Sequence, residues 1–410
     1  MGRLMIRKTC VLALCATLAT GSWARDPFTS QETFKPSDSA EVMAWETSES
    51  LAKDNLKRRA VAAQRLPIET YMQGVLDQLY PEFAGKMRVR LMPDVGANAF
   101  AMPNGDIYVG GGMLLRMTSE AQLAALLGHE ATHVTHRHGI DGFETSTGVV
   151  GGATVINVLV SAVPLPVSGL SSLVVNPLMR LATQFGVHFT ALSSVAGFSR
   201  GRESEADEEG YRRMVKAGYD PKEAAKLFQN LADETKMATR NHESFFFASH
   251  PAMVERVSNF ERFIKDTPAK QGVVGSEQYE ALVGPMRPAM VERELKRFTM
   301  GYIDNGFVAF FERPDVAPLF KPGEAAFYKG ETRRRVGDAS MQDAAITAYQ
   351  TALKEGWDPK ACHEGMVLVY LRQEKGAEAA KAIQDLVDAG VPADSPEIAQ
   401  YKVRLKELKV

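Results

Sequence analysis

His129, Glu130 and His133 are the residues of this chain whose types and spacing point most directly to chemistry. Positions four apart on an α-helix share a face, so both imidazoles would point the same way with the glutamate beside them. Two imidazoles so placed form half of a zinc site, and the adjacent carboxylate is positioned to take a proton from water. The chemistry predicted is metal-assisted hydrolysis. Neighbouring residues predict the helix itself. Thr118 and Ser119 are capping types, Glu120 suits the positive first turn, and Leu123, Leu126 and Leu127 form an apolar stripe ahead of the histidines. A helix carrying two solvated histidines is the plainer alternative on this stretch alone.

A hydrolytic zinc site takes a third protein ligand and leaves one position open. His136 and His138 follow closely, but a metzincin would place glycine at 136 and histidine at 139, where this chain has His136 and Gly139. At about 100° per residue His138 leaves the face of His129 and His133, and His136 is too near along the helix for an open tetrahedral site. Both read as non-ligands. A second source is the acidic start of another amphipathic helix, Ser199-Arg200-Gly201-Arg202-Glu203-Ser204-Glu205-Ala206-Asp207, which continues through Tyr211, Met214 and Val215. Glu203 and Asp207 share a face there, which suits a carboxylate ligand followed by a carboxylate that orients a ligand histidine. An acidic first turn complementing the helix dipole fits the same residues, and composition does not separate the two.

His129-Glu130-x-x-His133, then Ser199-Arg200-x-x-Glu203-x-x-Ala206-Asp207-x-x-Gly210, then Ser249-His250-Pro251-x-x-x-x-Arg256 resembles the gluzincin zinc metallopeptidases that include periplasmic BepA, membrane HtpX and the CAAX prenyl proteases. Residues 98–109 are similar to the strand before the metal-binding helix of that family, and the likeness spans roughly residues 38–260. The resemblance implies one Zn2+ per chain held by His129, His133 and Glu203, with Glu130 as general base and Asp207 orienting a ligand. In BepA-like members the histidine matching His250 can occupy the fourth coordination position and hold the enzyme inactive. Binding the oxyanion, or merely starting a helix before Pro251, are the other roles open to His250. Arg256 is expected either to stabilise developing negative charge or to pair with an acidic neighbour. The strand of residues 98–109 is expected to hold an extended substrate through backbone hydrogen bonds, which predicts loose specificity for unfolded polypeptide.

The elements that position these residues are expected to form an α+β, mainly helical, zincin-like fold with a small sheet, followed by an all-α helical-repeat domain. Residues 39–80 predict two helices, the second starting at Pro67 and burying Ile68, Met72, Val75, Leu76 and Leu79. The expected organisation is a signal peptide at 1–24, a flexible segment at 25–37, a metallopeptidase domain at 38–264, a linker at 265–285 and a helical domain at 286–410. In the last of these, Ala344, Ile346, Ala348, Tyr349, Ala352 and Leu353 with Trp357-Asp358-Pro359 are similar to the second helix and closing proline of a tetratricopeptide repeat. A second helix pair is expected at 361–372 and 376–389, forming a groove for a partner or substrate segment.

Arg3, Arg7 and Lys8 precede the apolar run from Cys10 to Ala19, and Ser22-Trp23-Ala24 suits cleavage after Ala24, so export to the periplasm is expected. Cys10 and Cys15 would leave with the signal, and Cys362 would remain without an intramolecular partner. A chain with 48 basic against 50 acidic residues shows no bias toward nucleic acid. The insert at 145–198 has no acidic or basic side chain before Arg180, but Pro164, Pro166 and Pro177 divide it. A lid or plug beside the site, with peripheral membrane contact, is expected in preference to a membrane span. The function expected is hydrolysis of misfolded envelope proteins, with outer-membrane assembly machinery as a partner. The rivals are a latent, zinc-bound chaperone acting through the repeats, and a membrane-integrated HtpX-like protease.

Overall fold

The computed structural model describes residues 25–58, 66–92, 96–140, 198–237, 253–266, 271–297, 306–336 and 339–408. The fold is mainly helical around one small sheet. Helix α1 (Ser39–Arg58) and helix α2 (Pro67–Leu79) come first. Pro67 opens α2 at a position where its missing N–H costs nothing, and Ile68, Met72, Val75, Leu76 and Leu79 are buried as their spacing predicts. Each such side chain contributes about 1.5–3 kcal/mol by leaving water.

Strand β1 (Arg88–Met92) pairs parallel with β3 (Asp106–Gly110), and β2 (Ala99–Ala101) pairs antiparallel with β3, giving the order β1-β3-β2. The stretch 98–109, expected as one strand, is therefore a hairpin, and its first arm is a sheet edge. Gly105 makes the turn with φ of 87°, and a side chain there would strike the Phe34 ring. A short helix, α3 (Gly111–Arg116), leads to α4 (Glu120–Thr135). The Ser119 side chain caps α4 by accepting from the Gln122 N–H. Two more donors of its first turn, the N–H groups of Glu120 and Ala121, reach the carbonyls of Gly275 and Val274.

Helices α5 (Arg200–Lys216) and α6 (Lys222–Met237) pack on α4, and α7 (Met253–Asp266) packs on both of them. They are followed by α8 (Ser276–Val283), α9 (Arg287–Arg297) and α10 (Gly306–Glu312). Buried Arg116 donates to Glu234 at 2.6 Å and to Glu294 at 3.0 Å, tying α3 to α6 and α9. Helices α11 (Glu324–Val336), α12 (Ala339–Lys354), α13 (Pro359–Arg372), α14 (Gly376–Asp388) and α15 (Pro396–Glu407) complete the chain.

Three expectations about organisation need correction. Residues 25–37 were expected to be flexible because they are polar and carry two prolines, yet Phe28 and Phe34 are buried in the first core. Their rings pack tilted against each other and tilted or edge-on against Trp45, and the Phe28 N–H donates to the Thr135 carbonyl at the end of α4. Residues 265–285 do not act as a connector, since α8 lies there and buries Tyr279 and Val283 in the same core. A bridge also pairs Val273 with Tyr219. The helical domain does not begin at 286, because the first core runs on through Val291, Phe310, Phe311 and Val316 to Tyr328. A second core starts at Ala326 and ends at Ile398. Its helices pack as successive neighbours, with Tyr349 against Gly330 and Gly365. Pro359 opens α13 behind the Asp358 cap.

The signal peptide expected at 1–24 and the lid expected at 145–198, apart from Phe198, lie outside the described residues. Among the described residues no helix is long and apolar enough to cross a membrane.

Candidate active site

Helix α4 presents His129 and His133 from one buried face, and α5 crosses it with Glu203 and Asp207. The crossing is close because glycine meets glycine. A Cβ on Gly210 would lie 2.8 Å from the His129 backbone nitrogen and 2.9 Å from the Gly128 carbonyl carbon. From the other side, Tyr80 holds this part of α4 through its hydroxyl, which donates to the Gly128 carbonyl at 3.0 Å and pairs with Thr132 at 2.8 Å. Burial raises the Tyr80 pKa, so the hydroxyl stays a donor. Replacing Gly210 with Ala is expected to push the helices apart. Overpacking of this kind costs about 1–3 kcal/mol, seen as a melting temperature lower by roughly 2–12 °C. An unchanged melting curve together with unchanged zinc binding would show that the crossing has slack.

His129 Nε2 lies 3.1 Å from His133 Nε2 and 3.6 Å from Glu203 Oε2, and His133 Nε2 lies 3.4 Å from Glu203 Oε1. Tetrahedral zinc with ligand bonds of about 2.0–2.1 Å separates its ligand atoms by about 3.3 Å, so these three side chains fit the ion. The donor set itself asks for a cation. Two imidazole lone pairs and a carboxylate converge on one buried point, where they repel unless a positive charge lies between them. Glu130 is fully buried beside His129 on α4.

Asp207 Oδ1 and Arg256 Nη2 both lie 2.9 Å from His129 Nδ1; with Nε2 turned to the point where the ligand atoms converge, the ring proton belongs on Nδ1, where the Asp207 carboxylate accepts it. Arg256 on α7 grips the same carboxylate, with Nε 3.0 Å from Oδ2 and Nη2 2.6 Å from Oδ1. Its Nη1 lies 3.6 Å from Glu203 Oε2, and its guanidinium stacks 4.0 Å over the Phe228 ring. Burial opposes the charge on Arg256, but Asp207 and Glu203 outweigh it and raise its pKa. Of the two roles open to Arg256 in the sequence, the geometry matches pairing with acidic neighbours. His250 lies outside the described residues.

Sequence reasoning missed two contacts of His133. The Phe198 ring stacks on it at 3.9 Å, 13° from parallel. His138, set aside as a non-ligand, has its Nδ1 2.9 Å from His133 Nδ1. Burial and the neighbouring His133 and His136 hold the His138 pKa well below the ordinary histidine range, so this ring is neutral. No composition signal marks Phe198. His138 was discounted on the assumption that the helix continued past Thr135.

The sequence pattern of peptidase family M48 matches residues 41–264, more than half of the chain and all of this site. The chain belongs to peptidase family M48. Its M48 domain is a zinc metallopeptidase domain, and the three converging side chains are the donor set such a domain requires. Among curated relatives, the putative beta-barrel assembly-enhancing protease of Vibrio cholerae is 28% identical over 171 residues, 41% of this chain and 33% of that protein. The mitochondrial metalloendopeptidase OMA1 of Schizosaccharomyces pombe is 30% identical over 189 residues, 45% of this chain and 49% of that protein. Metalloprotease LoiP of Escherichia coli is 28% identical over 190 residues, 45% of this chain and 64% of that protein. These matches span between a third and just under two thirds of the relatives' own lengths. Beyond the M48 match at 41–264, α11 to α15 are helical.

Proposed function

We propose that the chain is a zinc-dependent endopeptidase of the periplasm that cuts unfolded or misfolded envelope proteins. The observation that carries the reading is the convergence of His129, His133 and Glu203 on one buried point, with Glu130 beside them and a sheet edge packed against the same helix. His129, His133 and Glu203 would hold zinc, which would supply the Lewis acidity needed to acidify a water and polarise the scissile carbonyl. Glu130 accepts the water's proton and returns it to the leaving amine nitrogen. Asp207, held by Arg256, keeps His129 in the tautomer that offers Nε2. Strand β2 lends its outer backbone groups to an extended substrate, so the site selects for unfolded backbone more than for particular side chains.

The envelope as the source of substrate is drawn from the likeness to the beta-barrel assembly-enhancing protease of Vibrio cholerae. On the same ground, the hairpins of α11 to α15 are the proposed docking surface for outer-membrane assembly machinery. The test incubates the purified chain with one protein in its folded form and in a reduced, alkylated, unfolded form. Cleavage confined to the unfolded form, lost on chelation and restored by zinc, is the expected result. Equal cleavage of the folded form, or cleavage that survives chelation, counts against the proposal.

A further inference from the structure

We infer that His138 is a positioning residue for His133, accepting a hydrogen bond from its Nδ1–H and anchoring it to Glu205. The inference rests on the proposed role of His133 as a zinc ligand.

The backbone brings His138 back to the site. Helix α4 ends at Thr135, and Arg137 then takes φ of 61°, a left-handed conformation uncommon outside glycine, asparagine and aspartate. Arg137 is held in it from three sides. Its N–H donates to the Val134 carbonyl, its Nε donates to Glu41 Oε1 at 2.9 Å, and its guanidinium lies 4.8 Å over the Phe28 ring. A helix continued through 138 would have carried His138 away from His133. The reversal instead folds it underneath, with its side chain almost fully buried.

The protons then have one consistent arrangement. His133 Nε2 faces the metal position, so in the neutral ring its proton sits on Nδ1. His138 Nδ1, 2.9 Å away, must accept that proton's hydrogen bond. The His138 proton is therefore on Nε2, which lies 3.3 Å from Glu205 Oε2. The stacked Phe198 ring leaves His133 little freedom to tilt. Both ligand histidines are thus referred to α5, His129 directly through Asp207 and His133 through His138 to Glu205. Registry between α4 and α5 sets both ring orientations at once.

The experiment measures the zinc dissociation constant by chelator competition for the parent, His138→Leu, His138→Gln and Glu205→Leu, with melting curves in chelator. His138→Leu removes the acceptor and is expected to weaken zinc binding about 10–100-fold while melting like the parent without metal. His138→Gln restores an acceptor oxygen and an N–H toward Glu205, and is expected to stay within about threefold of the parent. Glu205→Leu, at a half-exposed position that tolerates change, is expected to fall between them. Parent-like affinity in His138→Leu, or Gln as weak as Leu, overturns the acceptor role. If His138→Leu does not fold, the other two variants decide, and parent-like affinity in Glu205→Leu overturns the relay. A parent that binds no zinc overturns the ligand reading itself, a separate failure from a parent that binds while its variants match it.

Discussion

Glu130→Gln is expected to lower the rate of peptide hydrolysis about 10²–10⁴-fold while the chain keeps its zinc. The side chains have the same shape, so the fully buried site is not reshaped, and Glu130 is outside the set of converging ligand atoms. What the amide lacks is a basic oxygen to take the proton from water and return it to the leaving nitrogen. Initial rates on an unfolded protein, with zinc counted by mass spectrometry, separate the two effects. A variant that cuts at the parent rate would remove Glu130 from the mechanism. Loss of zinc along with activity would instead show the carboxylate to be part of the metal's support.

Arg256→Ala is expected to produce the largest loss of stability at the site. It leaves Asp207 and Glu203 buried with their cationic partner gone, and breaking a buried pair from one side costs about 3–5 kcal/mol. The lost stacking on Phe228 adds to this. The deficit should be greater without metal, because bound zinc itself offsets the carboxylate charge. Melting curves of parent, Arg256→Ala and Arg256→Lys, each with zinc and with chelator, test the argument. The expected order of stability is parent, Lys, Ala, with the widest gaps in chelator, because lysine restores the charge but not the two-pronged grip. Equal melting of parent and Ala variant in chelator would mean the carboxylates are relieved in some other way.

The converging side chains were legible because their arrangement is local. His129 and His133 are one turn apart on a helix whose cap and stripe are written in adjacent residues, and Glu203 and Asp207 repeat that spacing on α5. The closeness of the two helices depends on Gly128 meeting Gly210, a contact that neither segment specifies alone. The contact of His138 with His133 was missed for a related reason. The helix stops without a glycine or asparagine to mark the stop, and Arg137 takes the left-handed turn only because Glu41 and Phe28, from distant sequence, hold it there. The flexible segment at 25–37 and the linker at 265–285 were read from polarity and weak periodicity. A few apolar residues in each, Phe28 and Phe34 in one and Tyr279 and Val283 in the other, anchor it to the core.

The donors at the start of α4 are completed by the backbone of residues 274 and 275, which lie beyond the end of the M48 match at 264. Those two bonds tie α4 to a stretch of chain made later. On the ribosome, α4 emerges with two of its first-turn donors unmet, and the core that fixes it closes only after Tyr279 and the aromatic residues up to Tyr328 have been synthesised. The metal site is thus finished late in translation, and a fragment ending at 264 carries every converging ligand but lacks part of the frame that aligns them.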